Sequence, residues 1–168
     1  YTRETGRIAE VESAIKQITL NEKQLQVFDS IRQQFGWTDA ANDSKNIDTV
    51  LLHGVTSSGK TEIYVKLIEQ AIQRNGQALY LLPEIALTTQ IIQRLRKYLG
   101  DRVGVYHSKY TSNERVEIWN RVLGFRADEP GKQRSQVVLG ARSSLFLPFS
   151  RLGLVIVDEE HDSSYKQF

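Results

Sequence analysis

Gly54-Val55-Thr56-Ser57-Ser58-Gly59-Lys60-Thr61 has the spacing G-x-x-x-x-G-K-[ST] of a phosphate-binding loop. Its glycines let successive backbone N–H groups turn inward on a phosphate, and a helix starting there adds the positive end of its dipole. Lys60 supplies a point charge and the Thr61 hydroxyl can ligate Mg²⁺. Gly54, Thr56, Ser57, Ser58, Gly59, Lys60 and Thr61 are therefore the candidate nucleotide-binding residues. A second constellation, Asp158-Glu159-Glu160-His161, follows an apolar run. Phosphoryl chemistry needs a carboxylate to hold Mg²⁺, directly or through water, and a second group to orient or deprotonate the attacking water. Asp158, with Thr61, fits the metal role and Glu159 the water-activating one, so the candidate catalytic set is Lys60, Asp158 and Glu159. A glycine-bearing turn and a solvated acidic cluster are the plain readings of the same two stretches.

Both constellations need strands and helices to hold them. Val50-Leu51-Leu52-His53 reads as a short buried strand before the loop, and Glu62 to Arg74 as a helix after it. Further strands are expected at Gln77 to Leu82, stopped by Pro83, at Val103 to Tyr106, at Val137 to Leu139 and at Leu154 to Val157. Three more helices alternate with them or precede them. One is capped by Asn21, runs to about Gln34 and has Leu25, Phe28, Ile31 and Phe35 on one face. Another spans Thr88 to Leu99, with Ile91, Ile92, Leu95, Tyr98 and Leu99 as its stripe and Gly100 as its stop. The third opens on the capping box of Thr111 and Glu114 and carries Val116, Trp119, Val122 and Leu123. Continuous rather than alternating apolar strands, separated by helices, call for an α/β domain: a mostly parallel sheet with helices on both faces. In such a sheet the strand ends deliver Lys60 and Asp158 to one crevice.

Composition narrows the class without naming it. With 168 residues, 40% of them hydrophobic, the chain suits one domain with a substantial core. A net charge of +2 is no large basic field, so any contact with nucleic acid must be local. There is no cysteine, which excludes a disulfide framework and cysteine-ligated zinc within this stretch. No run reaches the apolar length of a membrane span and the start lacks the apolar core of a signal peptide, so no membrane partner and a cytoplasmic setting are expected. The chain opens on Tyr1 and holds no Met, the expectation being a piece of a longer polypeptide. Residues 1–18 read as a linker from an upstream domain and 19–168 as the nucleotide-binding domain; 36–49 and 125–135 read as polar surface loops.

Taken together, Gly54 to Thr61, Leu81-Leu82-Pro83-Glu84-Ile85-Ala86-Leu87-Thr88, His107-Ser108, Gly140-Ala141-Arg142-Ser143-Ser144-Leu145-Phe146 and Asp158 through Gln167 resemble the bacterial replication-restart helicases, DEEH-box members of superfamily 2, from about Leu20 to the end. The resemblance implies the first RecA-like P-loop motor lobe of an ATP- and Mg²⁺-dependent helicase moving 3′ to 5′ on single-stranded DNA. Its implied partners are single-stranded and forked DNA, primosome proteins and single-strand-binding protein. By the same likeness Gln24 belongs to the motif that reads adenine; a polar residue on an exposed helix face is the plain alternative. Thr88, Arg142 and Ser143 would hold the DNA backbone, and His161 would couple strand binding to hydrolysis or serve as a structural histidine. Tyr165 would open an aromatic-rich loop, and His107 reads as structural. Ser57 stands where the family often has Gly, and Ala141 where it often has Thr, which removes one hydroxyl that could touch DNA. The family's zinc-binding cysteines and second lobe with its arginine finger have no counterpart here, so the isolated chain is expected to be nearly inactive.

Two other readings stay open on the residues alone. Another P-loop enzyme, a GTPase or kinase, shares the loop, although the chain has no N-K-x-D guanine motif and no lid of clustered arginines. A module that binds nucleotide or DNA without turnover shares it too.

Overall fold

Backbone hydrogen bonding turns the expected apolar runs into one parallel sheet. The computed structural model describes residues 17–37, 49–54, 59–107, 109–124 and 135–166. The chain forms two units, Ile18–Leu67 and, with the residues before Ile18, Ile68–Phe168.

In the first unit, helix α1 (Glu22–Gln34) starts where Asn21 leaves the helical conformation. The Asn21 side chain accepts the Gln24 N–H at 3.0 Å, and the Gln24 side chain accepts the Asn21 N–H at 2.9 Å, so two of the orphan donors of the first turn are satisfied. Helix α2 (Lys60–Gln73) begins on the last residues of the phosphate loop and runs on past the division.

The second unit is built on β1 (Gln77–Leu81), β2 (Val103–Tyr106), β3 (Val137–Gly140) and β4 (Leu152–Val157), in the order β2-β3-β1-β4 and all parallel. Every residue of β1 and β3 is buried, so both faces of the sheet's centre are covered, as the unbroken apolar runs require. Between β1 and β2 lies helix α3 (Thr89–Leu99), capped by Thr88 and stopped by Gly100 at φ 61°. Helix α4 (Ser112–Leu123) precedes β3 and has the full Thr111/Glu114 capping box. Its Ile118 and Val122 pack with Leu147 on Leu79, Leu81 and Val138. Burying side chains of this size contributes roughly 1.5–3 kcal/mol each.

One polar side chain belongs to this core. Gln77 is fully buried, and its amide ties four segments together. Nε2 donates to the carbonyls of Val122 at 3.1 Å and Ser135 at 3.4 Å, while Oε1 accepts the N–H groups of Ser150 at 3.0 Å and Arg151 at 3.1 Å.

Several expectations are corrected. Val50 to His53 is not a strand: it has no ladder partner among the described residues, and Leu51 is 76% exposed. A four-residue apolar run is held extended only by a neighbour. On α1 only Ile31 is buried, whereas Leu25 faces solvent. On α4 the buried face is Ile118 and Val122, leaving Val116, Trp119 and Leu123 exposed. Of the four residues expected on this helix Val122 is in the core, while its neighbour on that face, Ile118, was passed over; the helix carries apolar residues on two sides, which spacing alone does not rank. Strand β4 begins two residues earlier than expected; Leu154 and Ile156 are buried, while Val155 and Val157 on its other face are exposed. Residues 1–16 of the expected linker, 38–48 of the first polar loop and 125–134 of the second lie outside the described residues.

Candidate nucleotide and nucleic-acid site

The phosphate-loop residues are held by α1 and α2. Gly59 has φ 82°, a conformation open to glycine and strained for other residues, and it turns the chain into α2 with Lys60 as first helical residue. Lys60 Nζ donates to the Gly54 carbonyl at 2.9 Å, which spans the loop from end to end. Thr61 stands half-buried in the first turn, where helix N–H groups lack intrahelical partners. Thr56, Ser57 and Ser58 lie outside the described residues.

Gln24 reaches this loop. Its Nε2 donates to the Gly59 carbonyl at 3.1 Å, and a Cβ added at Gly59 would collide with that nitrogen. The amide oxygen is meanwhile held by the Asn21 N–H. Both ends of the side chain are thus engaged, and a bidentate adenine contact requires both bonds to open.

The acidic cluster is set by the pairing of β1 with β4. The Asp158 N–H donates to the Leu81 carbonyl at 3.0 Å, extending the ladder one residue past β4. Three further bonds converge on this residue. Tyr80 donates its hydroxyl to Oδ2 at 2.8 Å, the Glu159 N–H donates to Oδ1 at 3.2 Å, and the Tyr165 hydroxyl donates to the backbone carbonyl at 3.1 Å. Glu159 itself has φ 51°, in the left-handed region that costs a non-glycine residue roughly 1–3 kcal/mol. Such strain collects at functional positions. The carboxylate of Glu159 is exposed, and its backbone carbonyl accepts the Asp162 N–H at 2.8 Å.

Around this turn, burial first and then the Asp158, Asp162 and Glu159 carboxylates push the Tyr165 phenol well above the usual tyrosine range. It therefore stays a neutral donor at physiological pH. The Asp162 carboxyl is held below its usual value by the Ser164 hydroxyl and N–H. His161 is largely exposed, 3.5 Å from Glu160. His107 has a local role, its Nδ1 accepting the Lys109 N–H at 3.0 Å.

The residues expected to meet DNA lie beside the carboxyl ends of β1 and β3. These ends are joined by the Leu82 N–H on the Gly140 carbonyl at 3.0 Å. Beyond them come the short 3₁₀ turns Glu84–Ala86 and Arg142–Phe146. Thr88 is exposed, although its hydroxyl already caps α3 by accepting the Ile91 N–H at 3.5 Å. Arg142 is half-buried and Ser143 exposed. The buried Ser144 hydroxyl donates to the Ala141 carbonyl, and a Cβ on Gly140 would strike Ser144 and crowd the Tyr106 carbonyl. The turn is therefore fixed from within, with Gly140 required by close approach.

Two residues were read in the sequence only as members of an apolar strand. A buried tyrosine or glutamine must find a partner for its polar end. In β1 that signal was present at Tyr80 and Gln77, but the partners lie far along the chain.

Residues 15–168 match the DEAD/DEAH box helicase family, and the chain belongs to that family. Among individual proteins, it is 39% identical over 150 residues to Replication restart protein PriA of Bacillus subtilis, covering 89% of this chain and 17% of that protein. The protein of the same name from Haemophilus influenzae is 39% identical over 155 residues, 92% of this chain and 19% of the relative. That from Rickettsia felis is 39% identical over 176 residues, 99% of this chain and 26% of the relative. The likeness of the motifs to the first lobe of replication-restart helicases agrees with these matches. The chain spans between 17% and 26% of the length of these three relatives. Family membership implies nucleotide binding and sets aside the GTPase and kinase readings. No helix among the described residues is long and apolar enough to cross a membrane.

Proposed function

We propose that this chain is the ATP-binding motor lobe of a 3′-to-5′ DNA helicase that acts in replication restart and primosome assembly. The observation that carries the reading is the phosphate loop delivered by a positive-φ glycine into the first turn of a helix, within a chain of the DEAD/DEAH box family. In this role Gly54, Thr56, Ser57, Ser58 and Gly59 wrap the phosphates with backbone N–H groups, and Lys60 leaves the Gly54 carbonyl for them. The Thr61 hydroxyl and the Asp158 carboxylate each offer a hard oxygen of the kind that suits Mg²⁺, which usually takes one or two carboxylates and completes its shell with phosphate and water. With Mg²⁺ bound, charge developing on the transferred phosphoryl group is neutralised. Glu159, exposed at the strained turn, accepts the proton of the attacking water.

Gln24 selects adenine after exchanging its internal partners for the base. Thr88, Arg142 and Ser143 grip phosphates of single-stranded DNA without reading sequence, and His161 links that grip to hydrolysis. Forked DNA, primosome proteins and single-strand-binding protein are the partners of the whole protein, in the cytoplasm near the nucleoid; any zinc belongs to parts outside this chain. An arginine from a second lobe is worth roughly a thousandfold or more in kcat. Alone, the chain binds ATP and turns it over very slowly.

Titration of the chain with a fluorescent ATP analogue and Mg²⁺ tests the first step. Lys60→Ala removes charge-assisted bonds worth about 1.5–3 kcal/mol, a loss of roughly ten- to a hundredfold in affinity. Equal binding by wild type and variant would remove the loop from the site.

A further inference from the structure

Tyr80 stands out in β1, because its neighbours Leu79, Leu81 and Leu82 are aliphatic and a phenylalanine would fill the same space. In the parallel register Tyr80 pairs with Ile156, so Asp158 lies two residues further along β4's direction on the same face of the sheet. Two residues of strand rise about 6.6 Å, close to the length of a tyrosine from its Cα to its hydroxyl, and the hydroxyl meets Oδ2 with a 2.8 Å bond. The tyrosine is fully buried, and its ring is fixed by the packing around it. With the Glu159 N–H on Oδ1 and the Tyr165 hydroxyl on the backbone carbonyl, Asp158 is held on both carboxylate oxygens and on its main chain.

We propose that Tyr80 is a positioning residue for Asp158, its hydroxyl fixing the carboxylate in the rotamer that presents the remaining lone pairs to the metal of the bound nucleotide. The inference rests on the reading of Asp158 as a metal ligand given above. A ligand carboxylate that is hydrogen-bonded from behind pays less ordering entropy when the ion arrives, and loss of such a partner commonly lowers metal affinity ten- to a hundredfold. Tyr80→Phe keeps the ring and removes the hydroxyl.

The test uses the full-length protein carrying this lobe, with Mn²⁺ in place of Mg²⁺ and a non-hydrolysable ATP analogue, bound Mn²⁺ being followed by electron paramagnetic resonance. Tyr80→Phe should weaken Mn²⁺ binding to the protein–nucleotide complex about tenfold, with metal-free nucleotide affinity and the thermal unfolding midpoint close to wild type. In an Asp158→Asn background the same change should add nothing further. Unchanged Mn²⁺ affinity in Tyr80→Phe would overturn the proposal, as would an equal loss in the Asp158→Asn background, which would mean that the hydroxyl acts elsewhere. If Asp158→Asn alone binds Mn²⁺ as wild type does, the assignment of Asp158 to the metal falls first, and the role of Tyr80 falls with it.

Discussion

Gln77→Met tests whether a single buried amide holds the second unit together. Methionine has nearly the length and volume of glutamine, so the substitution leaves little cavity and deletes only the hydrogen bonds. Four backbone groups lose a partner. Ser150 and Arg151 are exposed and water can replace Oε1 on their N–H groups, but the Val122 and Ser135 carbonyls meet Nε2 at positions sealed from solvent. An unsatisfied buried polar group costs about 1–3 kcal/mol. Val122 retains a share of a bond from the Gly124 N–H, so its penalty falls at the low end. The sum is about 3 kcal/mol, or a drop of roughly 10 °C in Tm for a chain of this size. Urea unfolding followed by circular dichroism reads the change directly, with the m-value checking that the unfolded state is the same. A loss below about 1 kcal/mol would refute the argument, since water or backbone relaxation would then be satisfying both carbonyls.

Gly59→Ala should abolish nucleotide binding more completely than its small volume suggests, because the new Cβ meets the Gln24 amide and φ 82° is strained for alanine; an affinity within a few-fold of wild type in the fluorescence titration would contradict this. Thr111→Val should destabilise α4 at neutral pH by removing the cap. The Thr111 N–H and hydroxyl hold the Glu114 carboxyl below its usual pKa, so this stabilisation is full above the ordinary carboxylate range and fades as pH falls through the lowered folded value. The stability difference between Thr111→Val and wild type should therefore narrow in acid, and a difference constant from pH 7 to pH 3 would count against the ionised cap.

The candidate site could be proposed from the sequence because its chemistry fixes spacing locally. The phosphate loop, the Asn21 and Thr111 capping boxes and the apolar runs of β1, β3 and β4 all depend on residues a few positions apart. What escaped depends on distant partners. Tyr80 finds Asp158 78 residues away, and Gln77 finds Val122 and Ser135 at separations of 45 and 58, so neither bond has a local signature. The apolar run Val50 to His53 failed for the converse reason, since a strand exists only through its neighbour. On α4 Val122 was read and is buried, but Ile118 was passed over because Val116, Trp119 and Leu123 make as good a stripe. Gln24 was singled out in the sequence as a candidate motif residue, and its bonds to Asn21 and Gly59 became visible only with the backbone in place.

The central claim, a DNA-driven ATPase with Glu159 as the water-activating base, is tested most directly by steady-state hydrolysis in the full-length protein, titrated with single-stranded DNA and compared with Glu159→Gln. DNA should stimulate turnover in the wild type, and the variant should lose a hundredfold or more of it, the scale of a general base, while still binding ATP. Turnover indifferent to DNA, or a Glu159→Gln variant with undiminished stimulated activity, would contradict the account.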